Sequence, residues 1–150
     1  MTESTLMRYR PVDCSIARSL ELLGERWTIL VLRAAFNAVR RFDDIQADTG
    51  APRQVLSARL AHLVEHGILK RIPYQEPGQR QRYEYRLTHK GLDLYPVLLG
   101  LLEWGDKYLA DDEGPSVVLT HKECGSPIHM AMVCADGHEV ESARDVRPVR

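Results

Sequence analysis

The stretch Ala51–Gly67, APRQVLSARLAHLVEHG, decides how this chain is read. Its apolar residues Leu56, Leu60, Leu63 and Val64 recur at helical spacing and fall on one stripe. Pro52 stands where a first helical residue would, its missing N–H harmless and its φ already set, and Gly67 supplies a left-handed stop. Ala51 is then a poor N-cap, forgoing roughly 0.5–2 kcal/mol relative to Ser or Asp. On a helical wheel Gln54, Ser57, Ala58 and Ala61 lie opposite the stripe, with Arg53, Arg59 and His62 at its borders. A face of small residues, one amide, one hydroxyl and flanking arginines can come close to something flat and hydrogen-bond to it. A DNA major groove asks for that chemistry, because Gln and Arg pair bidentately with base edges and small residues permit approach. An ordinary amphipathic surface helix fits the segment as well, so its neighbours decide.

Upstream, Asp13 and Ser15 are both acceptable caps for a helix with Ile16, Leu20 and Leu23 at i, i+4 and i+7, broken at Gly24. A second helix begins near Glu25 and turns Trp27, Leu30, Val31, Ala34 and Ala35 inward as far as about Phe36. Arg40, Arg41 and Phe42 open a short helix, RFDDIQA, that buries Phe42 and Ile45, and Asp48, Thr49 and Gly50 turn into the quoted helix. Short helix, Gly-containing turn, longer helix with a small polar outer face is the helix-turn-helix order. After Gly67 the period changes to two. Ile68–Tyr74 and Tyr83–Leu87 read as strands around a Pro77-Gly78 turn, with Arg80 and Arg82 near the tip. Directly after a helix-turn-helix, a hairpin with a basic tip is a wing; a plain surface hairpin is the alternative.

Thr88 can cap a last long helix over roughly His89 to Ala110, with a kink at Pro96. Its polar positions, Asp93, Gly100, Glu103, Asp106 and Lys107, crowd into little more than a quarter of the wheel. Packing on one domain uses an apolar stripe of only about 100°, so the excess reads as a dimerisation helix rather than the core helix of a monomer. The expected fold class is therefore mainly α with a small β-hairpin wing (α+β): a winged helix-turn-helix with a C-terminal dimerisation helix and a short tail. A flexible arm is expected over 1–12, the winged domain over 13–110 and the tail over 111–150.

At 150 residues the chain holds one domain and a small appendage. Its apolar share of 44% and charged share of 27% are those of a soluble globular protein. No apolar run nears the ~20 residues of a membrane span and the N-terminus has no signal core, so no membrane partner and a cytoplasmic location are expected. The formal net charge of −1 hides an uneven distribution: eight basic residues against three acidic ones give Arg53–Lys90 a formal +5. A basic middle between acidic flanks suits phosphate contacts.

Gln54 and Ser57 are the candidates for base-edge contacts, with Arg53 reaching a base or a phosphate. Arg59 lies nearer the buried border, where a phosphate or an internal partner suits it as well as a base. Arg80 and Arg82 should straddle the minor groove and read its width, and Arg41 is a candidate phosphate clamp. Cys14 sits beside a predicted helix start with Arg18 one turn along, the two ingredients of a reactive thiol; a small buried hydrophobe is the other reading.

Three widely spaced cysteines make no disulfide framework. In the tail, His121, Cys124, Cys134 and His138 form H-x2-C-x9-C-x3-H, two short-spaced pairs that could close a tetrahedral zinc site. The alternative is a hairpin pairing VVLTHK with HMAMVC. Zinc is the one cofactor this pattern points to. No enzyme is expected, because no carboxylate stands at a metal-hydrolase spacing beside these residues and no Gly-rich phosphate loop exists.

In their order and spacing these pieces resemble the HxlR-type family of bacterial winged helix-turn-helix transcriptional regulators. The resemblance runs from Cys14, ahead of SIARSLELLGERWTILVLR, through RRFDDI, VLSARLAHLVEHGILKR, the wing and YEYRLTHKG to LLEWG. It implies a homodimer that presents two recognition helices to a pseudo-palindromic stretch of double-stranded DNA, with half-sites about 34–36 Å apart. It also implies a sensor role for Cys14 toward oxidants or electrophiles, although Ser15 stands where Pro is common in the family. Longer relatives carry tails resembling zinc ribbons with a second Cys pair; here Ala135-Asp136-Gly137-His138 stands where that pair would close. Two other readings remain open: a winged-helix protein-interaction module, which would want an uncharged wing, and a regulator controlled by a non-covalent small-molecule inducer.

Overall fold

Leu56, Leu60 and Leu63, one turn apart on the quoted helix, are completely buried, and the rest of the winged unit is arranged to cover them. The structure is a computed structural model that describes residues 14–149. The arm expected over 1–12 and the Asp13 cap lie outside the described residues. Six helices and four short strands follow in the order α1 Ser15–Leu23, α2 Arg26–Phe36, α3 Phe42–Thr49, α4 Arg53–Glu65, β1 Leu69–Tyr74, β2 Arg82–Leu87, α5 His89–Leu92, α6 Tyr95–Tyr108, β3 Met132–Val133 and β4 Glu139–Val140. They fall into two compact units that divide between Tyr95 and Pro96.

In the first unit α2 packs on α3 and α4. Its inward residues are Thr28, Val31, Leu32 and Ala34, joined in the core by Ile45 of α3 and by Ile68 and Leu69. Trp27, expected inside, is only half-buried, and the Arg26 guanidinium lies 4.7 Å from its ring centre. The face of α2 that meets α3 and α4 is centred one residue further along, on Thr28 and Leu32. The Thr28 hydroxyl is buried there without a hydrogen-bond partner among the described residues. The α1 stripe is not covered either: Ile16 is 72% and Leu20 58% exposed.

The wing is an antiparallel pair running in register from Leu69 opposite Leu87 to Tyr74 opposite Arg82. A third piece of strand, invisible in the sequence pattern, joins it. Arg41 bridges to Glu84, and the Tyr85 N–H donates to the Arg40 carbonyl at 2.8 Å. The helix expected over 89–110 is two helices. Thr88 caps α5, its hydroxyl accepting from the Gly91 N–H at 3.1 Å. Asp93 and Leu94 form a turn, and α6 restarts at Tyr95 with Pro96 in its first turn. A proline carries no N–H to continue the ladder from α5, so it opens a helix instead of kinking one.

Along α6 in the second unit Leu99 is buried, while Val97, Leu101, Trp104 and Tyr108 are exposed. The tail beyond it does not form the single hairpin of VVLTHK with HMAMVC. Each half closes on its own turn. Thr120 bridges to Pro127 around one turn, and β3 pairs with β4 around the other.

Candidate nucleic-acid interface

The turn between α3 and α4 fixes how α4 is presented. Gly50 takes the left-handed conformation, φ 73°, that a residue with a side chain rarely adopts. The Thr49 hydroxyl donates to the Ile45 carbonyl at 2.8 Å and accepts from the Ala51 N–H at 3.2 Å. The Gln46 side-chain amide donates to the Ala51 carbonyl at 3.3 Å. Ala51 is thus a buried plug, 2% exposed, and not the N-cap at all. The cap position falls to Pro52, one place before the first helical position expected for it, and the helix start stays without a side-chain cap. Pro52 supplies no side-chain acceptor, so the first-turn N–H groups of α4 remain available to an anion.

Gln54, Ser57, Ala58 and Ala61 form the exposed face of α4, opposite its buried leucines. Arg53 opens the helix, its guanidinium 4.7 Å from the Phe42 ring centre and 3.2 Å from Asp43 Oδ1. Across from it stands the wing loop, turned at Pro77 and Gly78 with the Gln79 N–H donating to the Glu76 carbonyl at 3.0 Å. Arg41, Arg53, Arg80 and Arg82 line one open groove of about 440 Å³ between the start of α3, the start of α4 and the wing. The sequence placed these four arginines up to 41 positions apart; the fold gathers them. Among the described residues the side chains of Gln54, Ser57, Arg80 and Arg82 have no hydrogen-bond or ion-pair partner, which leaves their side-chain donors free.

Arg41 and Arg59 differ from those four. Arg41 Nη1 donates to Glu76 Oε1 at 2.9 Å, its Nε lies 3.6 Å from Glu84 Oε1, and its guanidinium stacks 4.2 Å from the Tyr74 ring centre. The Glu76 bond is the main cause that raises its pKa above the usual value. Glu84 is pulled below the usual carboxylate range, first by its hydrogen bond from Arg86 and then by Arg41. Arg41 therefore holds the wing to the start of α3, a role the sequence did not reveal because Glu76 and Glu84 lie far along the chain. Arg59 is half-buried, its Nε 3.7 Å from Glu25 Oε2, an ion pair without a hydrogen bond.

Cys14 occupies the N-cap position of α1, half-buried. In the tail, His121 Nδ1 lies 3.3 Å from Cys124 Sγ, and Cys134 Sγ lies 3.5 Å from His138 Nδ1. The turns that carry the two pairs close through the Gly125 N–H to the His121 carbonyl and the Gly137 N–H to the Cys134 carbonyl. The Ser126 N–H and then its hydroxyl bond to Cys124 and lower its pKa. No three of these four side chains bring ligand atoms within 4.8 Å of one another among the described residues. The structure assembles the tail residues in twos.

Among the described residues, no helix is long and apolar enough to cross a membrane. The model of the HxlR-like helix-turn-helix family matches residues 22–113, more than half of the chain. The uncharacterised HTH-type transcriptional regulator Rv3095 of Mycobacterium tuberculosis is 46% identical over 134 residues, covering 89% of this chain and 84% of its own. Among solved structures, PA1607, described as a proposed transcription factor, is 36% identical with a TM-score of 0.79, covering 91% of this chain and 94% of its own. The reduced form of the transcriptional regulator YodB from B. subtilis is 27% identical with a TM-score of 0.53, covering 67% and 97%. A second YodB structure, treated with diamide, is also similar, with a TM-score of 0.50 over 65% of this chain and 97% of its own. The helix order, the wing and these likenesses agree: the chain belongs to the HxlR-like helix-turn-helix family and is a DNA-binding transcription regulator of the winged-helix type, not an enzyme.

Proposed function

We propose that this regulator acts in the cytoplasm as a homodimer on a pseudo-palindromic operator, with α4 in the major groove and the wing arginines at the minor groove. The observation that carries this reading is the groove lined by Arg41, Arg53, Arg80 and Arg82 beside the unpartnered Gln54 and Ser57. Free amide and hydroxyl groups on a helix face read base edges, while guanidinium groups on a hairpin tip meet phosphates and the narrow groove. Dimerisation is supported by the exposed apolar residues of α1, Ile16 and Leu20, and of α6, Leu101, Trp104 and Tyr108, which water alone covers poorly.

Control through Cys14 is the further part of the reading. It is supported by the position of this thiol at a helix start and by YodB having been solved both reduced and diamide-treated. A change in the separation of two recognition helices costs the second half-site, since half-sites lie about one helical turn apart.

Selection of bound DNA from a random pool, followed by binding to the selected site at several salt concentrations, tests the whole reading. Replacing Arg80 and Arg82 with Ala should lower the log–log salt slope by up to about two; an unchanged slope removes the wing from the interface. Gln54→Ala should cost about 1–3 kcal/mol at one base position and leave non-specific binding nearly intact. With a mild oxidant, the parent should lose operator binding and Cys14→Ser should keep it. A response that survives Cys14→Ser puts the sensor elsewhere, with Cys124 and Cys134 as the remaining thiols; no response in the parent replaces the sensor with a non-covalent inducer.

A further inference from the structure

The last turn of α4 carries three metal-ligating side chains for which reading DNA has no use. His62, Glu65 and His66 stand at i, i+3 and i+4, the spacing that puts side chains on one helix face. One ligand atom from each lies within 4.8 Å of the other two, the only group of three or more His, Cys, Asp or Glu with that property among the described residues. The two imidazoles meet edge to face, ring centres 4.4 Å apart and planes at 61°. His62 is half-buried, while Glu65 and His66 are exposed.

Two imidazoles at i and i+4 are the device by which a single helix grips zinc. With a carboxylate they make a three-ligand set whose remaining coordination position is open to water. Zinc would hold these atoms at about 2.0–2.2 Å. The donor set also selects the ion: imidazole nitrogen suits zinc, copper and nickel, whereas magnesium and calcium want oxygen throughout. The carbonyl end of a helix carries partial negative charge, which favours a cation there. Lys90 is the nearby cation already present; its Nζ donates to the His66 backbone carbonyl at 2.7 Å and leaves all three side chains unengaged.

We propose that the C-terminal turn of α4 binds one divalent transition-metal ion of the zinc type through His62, Glu65 and His66. The site lies at the opposite end of α4 from Arg53 and Gln54, so a bound ion clamps the helix end and does not compete with DNA for the reading face. This inference stands independently of the operator reading above.

The test is titration of the full chain with Zn²⁺ by calorimetry and with Co²⁺ by visible absorption. It is run on the Cys124→Ser/Cys134→Ser variant, on that variant carrying His66→Gln, and on the parent, with circular dichroism to verify folding. The thiol-free variant should retain one saturable site per chain with the spectrum of nitrogen and oxygen ligands. His66→Gln, at an exposed position, should weaken it by more than the roughly 10–100-fold that loss of a mere supporting group costs; Glu65→Gln should weaken it less. Absence of saturable binding overturns the proposal, as does binding that His66→Gln leaves unchanged. Binding that appears in the parent and vanishes in the thiol-free variant also overturns it, and assigns the ion to the His121, Cys124, Cys134 and His138 pairs of the tail.

Discussion

Ten apolar side chains in residues 14–95, from Val31 to Leu69, are no more than 2% exposed, whereas residues 96–149 contribute Leu99 alone at 7%. Val117, Val118, Met132 and Val133 of the tail are exposed, and its strands are two residues long. The first unit is held by the removal of apolar surface from water, worth roughly 25 cal/mol per Å². The tail is held by turns, a few cross-strand hydrogen bonds and whatever else it meets, since two-stranded ribbons of this size are marginal alone. Stability in this chain is therefore concentrated at one end of the sequence, and substitutions should divide accordingly.

The largest test of that division sets Leu60→Ala against Val133→Ala. Truncating Leu60 empties a fully buried position and should cost about 2–5 kcal/mol in urea unfolding, while Val133→Ala should stay within roughly 0.5 kcal/mol. Equal losses would mean that the tail has a core of its own. A smaller effect of opposite sign is expected at Thr28. Its hydroxyl is buried without a partner, and leaving such a group unsatisfied costs about 1–3 kcal/mol. Thr28→Val should thus raise the urea midpoint by the equivalent of about 1 kcal/mol; a drop would show that the hydroxyl has found a partner.

The smallest effect belongs to the tail. Hydrogen bonds from Ser126 lower the Cys124 pKa, which enlarges the thiolate fraction at neutral pH, and the thiolate is the reacting species. Ser126→Ala removes the hydroxyl's share, so the thiol pKa rises and alkylation by iodoacetamide slows. The comparison needs Cys14→Ser/Cys134→Ser protein, and an unchanged rate would show that the backbone N–H alone sets this thiol.

The same contrast explains what could be read in advance. Leu56, Leu60 and Leu63 announce α4 because burial imposes a period, and Pro77-Gly78 announces the wing because a turn needs such residues. The wing arginines were legible as charge on a hairpin tip. Trp27 was misjudged because helix periodicity cannot tell which of two adjacent residues faces the centre of a contact; α2 is centred on Thr28. Pro96 marked an interruption correctly, but whether a proline bends a helix or starts another depends on Asp93 and Leu94, whose pattern is neutral. The alternative single hairpin of VVLTHK with HMAMVC does not form, because hydrophobic alternation carries no register, whereas the Gly125 and Gly137 turns do. The His62, Glu65 and His66 group stands in the sequence as H-x2-E-H, a spacing equally at home on the polar side of an ordinary amphipathic helix. Ala51 could not be understood from sequence at all, since its small size matters only once Gln46 and Thr49 close around it.

The bridge between Arg41 and the wing has a mechanical consequence. The Arg40 carbonyl is hydrogen-bonded to Tyr85 of the wing, and Arg41 is ion-paired to Glu76 and Glu84, while the next residue already belongs to α3. Hairpin and helix-turn-helix are therefore stitched at the root, with no free linker between the wing and the start of α3. A displacement of the wing is thereby passed to the start of α3 through the Arg40–Tyr85 hydrogen bond and the Arg41 ion pairs.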